Sequence, residues 1–224
     1  MAASPTTFLD ELDRAVKIDP GISLIHSFLD RDQAKEALTV LSDNDKFPWD
    51  LKPKLFGQPL EQHAYHYQRN NMSASSLKSL ILLEELCRKV ERQFDVSVSD
   101  VYCNRFQDST HQIEWHKDTY GSHIFVLTLG SERDVQFRPQ KYKDDSNIST
   151  FTPKPGDIYF MPLSINKTHV HRVCRSATND EDTKSPRLSF VFFADPPTYA
   201  IDYKITVRDK VRGAWEGFLE GLLS

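Results

Sequence analysis

The sequence contains no apolar run of the ~18 residues that read as a membrane-spanning helix, so no span is expected. Its opening residues, Met1-Ala2-Ala3-Ser4-Pro5, lack a basic segment followed by an apolar one, so no secretory signal is expected. Cysteine is scarce: Cys87, Cys103 and Cys174 are odd in number and lack paired spacing. That excludes a disulfide scaffold and suggests a reducing, intracellular setting (cytoplasm or nucleus). There is no basic excess either, since 28 Lys and Arg stand against 32 Asp and Glu, a formal net charge of −4. Nucleic-acid binders commonly carry a basic face. Here the nearest approach to a basic cluster is Lys141, Lys143, Arg172 and Arg175, which weakens the expectation of a nucleic-acid partner without excluding it. No internal repeat or low-complexity segment interrupts the chain.

What is present is a set of metal ligands in strand-like surroundings. His116-Lys117-Asp118 offers an imidazole and a carboxylate two residues apart, and side chains two apart on a strand share a face. A second run, Thr168-His169-Val170-His171-Arg172-Val173, offers His169 or His171 on one face as a third ligand. Two imidazoles and one carboxylate on one side of a metal suit non-haem Fe(II) and leave positions open for oxygen and a second ligand. Arg187 stands alone in an otherwise almost continuous apolar run, Leu188-Ser189-Phe190-Val191-Phe192-Phe193. A charge in such a strand needs a partner. No acid is comparably placed, so a bound anion is the economical one, and a guanidinium fork suits a carboxylate. Ser189, two residues on, shares the face of Arg187; Tyr102, Asn104 and Phe106 alternate onto one face of an earlier strand.

Taken together, Asn104-Arg105-Phe106, His116-x-Asp118, Gly156-Asp157, His171 and Arg187 resemble the AlkB-type Fe(II)/2-oxoglutarate dioxygenases over roughly residues 98–195. The resemblance favours His171 over His169, because the family's ligand is followed by one residue, often Arg, and then Val or Ile. It implies a catalytic metal set of His116, Asp118 and His171, with Arg187 on the distal carboxylate of 2-oxoglutarate and Ser189 beside it. Asn104 matches the family's co-substrate Asn. Where the family has Tyr, this chain has Phe106, and Tyr102 is the expected substitute. Nucleic-acid-repairing members carry another Arg six residues after the first; here that position is Phe193. The implied cofactors are Fe(II), 2-oxoglutarate and O2, and the implied products are succinate, CO2 and an oxidised C–H bond. The acidic charge, Phe193 and a short lid favour a small molecule as substrate, an amino acid or biosynthetic intermediate that is hydroxylated, desaturated or cyclised. Oxidative demethylation of alkylated DNA or RNA is the alternative. Oligomeric state is not legible.

The expected fold is α+β, a double-stranded β-helix (jelly roll) flanked by helices, in one domain over 1–224. Residues 1–97 supply helical support and a lid, 98–195 the jelly roll, and 196–224 a C-terminal helix. Apolar spacing predicts an amphipathic helix over Thr7–Ile18, a strand over Ile22–Phe28, a helix capped by Asp30 with Gln33 three residues on, a helix over Ser76–Phe94, and a last helix over Val207–Leu223. Residues 44–71 hold three prolines among aromatics, and Phe56, Tyr65 and Tyr67 are the expected substrate-covering residues. His26, His111 and His123 are expected to be structural, and Trp115 to face away from the metal.

Overall fold

The computed structural model describes residues 12–55, 58–69, 77–118, 123–141, 147–176 and 186–195. The expected C-terminal helix, Phe56 and Lys143 lie outside them. In chain order the elements are β1 (Val16–Ile18), β2 (Ile22–Ile25), α1 (Arg31–Leu41), β3 (Lys54–Leu55), β4 (Gln58–Pro59), β5 (His63–Gln68), α2 (Lys78–Phe94), β6 (Ser97–Phe106), β7 (Ile113–His116), β8 (His123–Gly130), β9 (Val135–Pro139), β10 (Ser149–Phe151), β11 (Ile158–Met161), α3 (Leu163–Thr168), β12 (His169–Val173) and β13 (Arg187–Asp195). A large antiparallel sheet runs β1-β2-β11-β8-β13-β6-β5, and a small one runs β10-β9-β12-β7. This is the jelly roll the sequence predicts.

Strand alternation divides the large sheet into two working faces. Phe125, Leu127 and Leu129 of β8 join Leu188, Phe190 and Phe192 of β13 in the cluster that takes α1 and α2. The intervening residues Ile124, Val126 and Phe193 belong to the cluster that meets Val135, Phe137 and Phe151 of the small sheet. Fully burying each such side chain is worth about 1.5–3 kcal/mol, so both faces of β8 and β13 are held in register by packing.

The helices form for local reasons. Asp30 accepts the Gln33 backbone N–H while the Gln33 side chain accepts from the Asp30 N–H, the reciprocal cap expected at α1. On α2, Leu80, Leu83, Cys87, Val90 and Phe94 form one buried stripe. Gly156 adopts φ +90, and a Cβ there would collide with the Leu29 carbonyl oxygen, so this turn requires glycine. Next to it, the buried Asp157 carboxylate accepts from His26 Nδ1 at 2.9 Å, the Ser27 N–H at 3.1 Å and the Lys154 N–H at 2.9 Å. Gly156-Asp157 thus ties the approach to α1 to the turn before β11.

Two local expectations change. Val16–Ile18 is a strand paired with Ile22–Leu24, because the sheet edge offers this segment backbone partners that helical spacing alone does not weigh. The strand at Ile22 stops at Ile25, where Ser27 takes positive φ to reach Asp157. Within residues 44–69 the aromatic run forms β5, an edge strand of the large sheet.

Candidate active site

His116 and His171 are direct Cα partners across β7 and β12. Their rings lie 4.2 Å apart, centroid to centroid, and His171 stacks on Phe137 at 5.4 Å. Asp118 lies two residues beyond the last residue of β7, so strand parity alone does not aim it. Its backbone is held instead by the buried Asn166 of α3: the Asp118 N–H donates to Asn166 Oδ1 at 3.2 Å, and Asn166 Nδ2 donates to the Asp118 carbonyl at 3.0 Å. Lys117 turns the other way and donates to the Lys167 carbonyl at 2.8 Å. One ligand atom from each of His116, Asp118 and His171 falls within 4.8 Å of the others, a spacing that one metal ion can bridge.

The surroundings orient the imidazoles as ligands. His116 Nδ1 lies 2.7 Å from the Glu114 carbonyl oxygen, which can only accept, so Nδ1 carries the proton and Nε2 is the free lone pair. Burial and then the neighbouring His116 push the His171 pKa well below its ordinary value. Burial raises the Asp118 pKa, partly offset by His116. A largely enclosed carboxylate beside two imidazoles is a donor set that a divalent metal completes. His169 is not in this group; its Nδ1 lies 2.9 Å from Thr168 Oγ1.

Across the sandwich, Arg187, Ser189 and Phe193 share the inner face of β13. Arg187 pairs with Phe106 of β6 and Gly130 of β8, and Ser189 with Asn104 and Thr128. Arg187 is fully buried. Its Nη2 makes one long hydrogen bond, to Thr128 Oγ1 at 3.4 Å, and Nε and Nη1 have no partner among the described residues. Burial depresses its pKa to about 10. Phe106 stands where a phenol is expected and lies under the guanidinium at 5.1 Å. Asn104 accepts from Gln62 Nε2 at 3.3 Å, and both are buried. Two guanidinium nitrogens without partners in an apolar interior call for an anion.

Tyr65 and Tyr67 are not over this cavity. Tyr65 packs edge-on against Phe47 at 5.2 Å, and Tyr67 is buried among the helix-side residues with its hydroxyl on Glu84 at 3.1 Å. The parity of β5 turns both towards the helices, where apolar partners wait. His66 takes the opposite face beside Tyr102, their rings 6.0 Å apart. Tyr102 itself packs at the border of the inter-sheet cluster. Sequence reading missed Tyr159, an inward residue of β11 whose hydroxyl interacts electrostatically with both Arg187 and Asp118; burial raises its pKa. The signal for it in the sequence is alternation within Ile158-Tyr159-Phe160-Met161.

Arg69 and Arg172, two cations that a phosphate backbone could use, are engaged within the fold. Arg69 donates to both oxygens of Glu84, to Glu91 and to the Val98 carbonyl. Arg172 donates to Gln136 Oε1 at 2.7 Å and, with Arg138, flanks Trp115 on the side away from the ligands, at 4.5 and 4.3 Å.

No family model and no curated protein matches the sequence. Among solved structures, that of OsALKBH1 superposes with a TM-score of 0.53 and 16% identity, over 80% of this chain and 99% of that one. No helix among the described residues is long and apolar enough to cross a membrane. At that identity the likeness speaks for architecture alone, and the architecture is the AlkB-like jelly roll.

Proposed function

We propose that this protein is an Fe(II)- and 2-oxoglutarate-dependent oxygenase that oxidises a C–H bond of a small molecule. The observation that carries the reading is the pairing of a His-Asp-His cluster with a buried arginine whose Nε and Nη1 lack protein partners. The donor set fits a divalent metal that prefers imidazole and carboxylate. His116 Nε2, the Asp118 carboxylate and His171 would hold it, with Asn166 fixing the carboxylate's backbone and Glu114 the His116 tautomer. Bound Fe(II) would supply oxygen activation coupled to decarboxylation of 2-oxoglutarate to succinate and CO2.

The other residues bind and orient. Arg187 would offer its guanidinium, with Nε and Nη1 unpartnered and Nη2 held only by a long contact to Thr128, to the distal carboxylate of the co-substrate. Thr128, Ser189 and Asn104 share the inner face of that wall. Tyr159 would add a phenol that interacts with both Arg187 and Asp118, besides Tyr102, the substitute expected for the missing phenol at Phe106. Phe137 against His171, with Ile124, Val126 and Phe193 behind, keeps water from the reacting region.

A small substrate is favoured by the fixed engagement of Arg69 and Arg172, by the net charge of −4, and by Phe193 in place of a second arginine. The test combines metal analysis with succinate release from 2-oxoglutarate across panels of amino acids, amines and methylated nucleosides. Succinate stimulated by a small molecule, and lost in His171→Ala, supports the reading. A protein that binds neither iron nor 2-oxoglutarate refutes it. Steeply salt-dependent binding and demethylation of a methylated oligonucleotide would replace the small molecule with nucleic acid.

A further inference from the structure

The sandwich is lopsided, and its wider side carries a polar cluster that the co-substrate does not need. Phe151 of β10 meets Tyr159 of β11 edge-on at 5.2 Å, which sets the β10 end of the small sheet over the β2–β11 half of the large one. At the other end, Glu61 just before β5 accepts the Gln112 N–H ahead of β7 and pairs with Arg175 beyond β12, at 3.2 and 3.0 Å. The edges β7 and β5 therefore lie on the same side, with His116 on the first and His66 on the second.

On this side the inner wall holds His66, Asp100 and Tyr102. Tyr65 and Tyr67 face the helices, so His66 faces inward, opposite Tyr102 in register. Asp100 is the direct Cα partner of Phe193. His66 Nε2 lies 3.2 Å from Asp100 Oδ1, and the two side chains keep 27% and 23% of their exposure. At Phe193 the family pattern expects a guanidinium. Here that position is apolar and its cross-strand partner is the carboxylate Asp100, so this end of the wall, away from Arg187, carries an acid and, among the described residues, no cation besides His66.

We infer that His66, Asp100 and Tyr102 form a subsite that selects a positively charged nitrogen, an ammonium or methylated ammonium carried by a small molecule. The inference rests on the oxygenase reading above for its purpose, though not for its test. Asp100 supplies the opposite charge, and the Tyr102 ring offers a π face, the pairing by which proteins hold quaternary ammonium groups. His66 stands against one carboxylate oxygen. An anionic group meets repulsion from Asp100, and a neutral one of the same shape gains neither attraction.

The test uses the full-length protein as purified, with and without 2-oxoglutarate. Choline and its neutral isostere 3,3-dimethylbutan-1-ol are titrated by ligand-observed NMR. Choline is expected to bind at least tenfold more tightly, as a desolvated cation–π contact alone supplies. Asp100→Asn is expected to remove that advantage and His66→Gln to reduce it, with the affinity for 2-oxoglutarate unchanged in both. Equal binding of the two probes, no binding of choline by the wild type, or an advantage that survives Asp100→Asn overturns the inference. Failure of the oxygenase reading shows separately, as unaltered 2-oxoglutarate affinity in Arg187→Ala.

Discussion

Replacing Arg187 by Met separates an arginine that waits for an anion from one that holds the fold together. Burial takes its pKa from 12.5 to about 10. At ~1.36 kcal/mol per pKa unit, carrying that charge costs the folded state about 3 kcal/mol. Against this stand a long hydrogen bond to Thr128, worth about 1 kcal/mol at most, and the contact with Phe106, worth about 2 kcal/mol when desolvated. Methionine fills much of the same volume and is flexible enough to pack. The stability of the ligand-free protein is therefore expected to change by no more than about 1 kcal/mol, since those terms nearly cancel. Breaking a properly paired buried charge would cost about 3–5 kcal/mol. Co-substrate affinity is expected to move far more, by a factor of at least ~30, the equivalent of about 2 kcal/mol for a lost buried pair. Urea denaturation measures the first quantity and calorimetric titration with 2-oxoglutarate the second. In the wild type, 2-oxoglutarate at about 100 times its Kd should add about 2.7 kcal/mol of stability, and the variant should gain almost nothing. Loss of about 3 kcal/mol or more without ligand, together with unchanged 2-oxoglutarate affinity, would show that Arg187 is structural and would end the argument.

Other outcomes follow from the same geometry. Asn166→Ala should weaken metal binding about 10- to 100-fold, the usual cost of losing a group that orients a ligand, read by competition with a chromogenic chelator; unchanged affinity would mean Asp118 is positioned otherwise. His171→Ala should abolish metal binding while His169→Ala keeps it, and the reverse result would reassign the third ligand. Gly156→Ala should destabilise the fold by more than the ~1 kcal/mol typical of a point substitution, because the new Cβ meets the Leu29 carbonyl oxygen at a positive φ; a wild-type melting temperature would contradict this. Arg69→Ala should lower stability while leaving oligonucleotide affinity unchanged, because Glu84 and Glu91 already hold its guanidinium; a reduced salt slope would show that it reaches phosphate.

How far the sequence could be read depended on which physical signal each element carried. The jelly roll was legible because strands such as β13 announce themselves by composition, and α1 and α2 because capping chemistry and an apolar stripe are local properties. His116 and His171 could be brought together from sequence because each lies in a strand whose parity is fixed. The placing of Asp118 could not, since its backbone depends on Asn166, 48 residues away. Tyr65 and Tyr67 were misjudged because alternating aromatics reveal that a strand has two faces without saying which one meets the helices. Only the pairing with β6, which sets Tyr65 beside Cys103, decides that. Tyr159 was overlooked for a related reason: an apolar strand buried on both sides hides a polar atom that points inward.

β13 pairs along its length with both β6 and β8, and its alternate residues serve two masters. Leu188, Phe190, Phe192 and Ala194 answer to the helices, while Arg187, Ser189, Val191 and Phe193 line the interior. A one-residue insertion before Arg187 that shifted the register would exchange the sets, driving a guanidinium into the helix layer and stripping the cavity of its cation. Substitution at odd positions, by contrast, leaves the even-numbered scaffold untouched. The chemistry of this wall can therefore change by point replacement, as an exchange of Arg for Phe at 193 would, while the strand's length and phase stay locked.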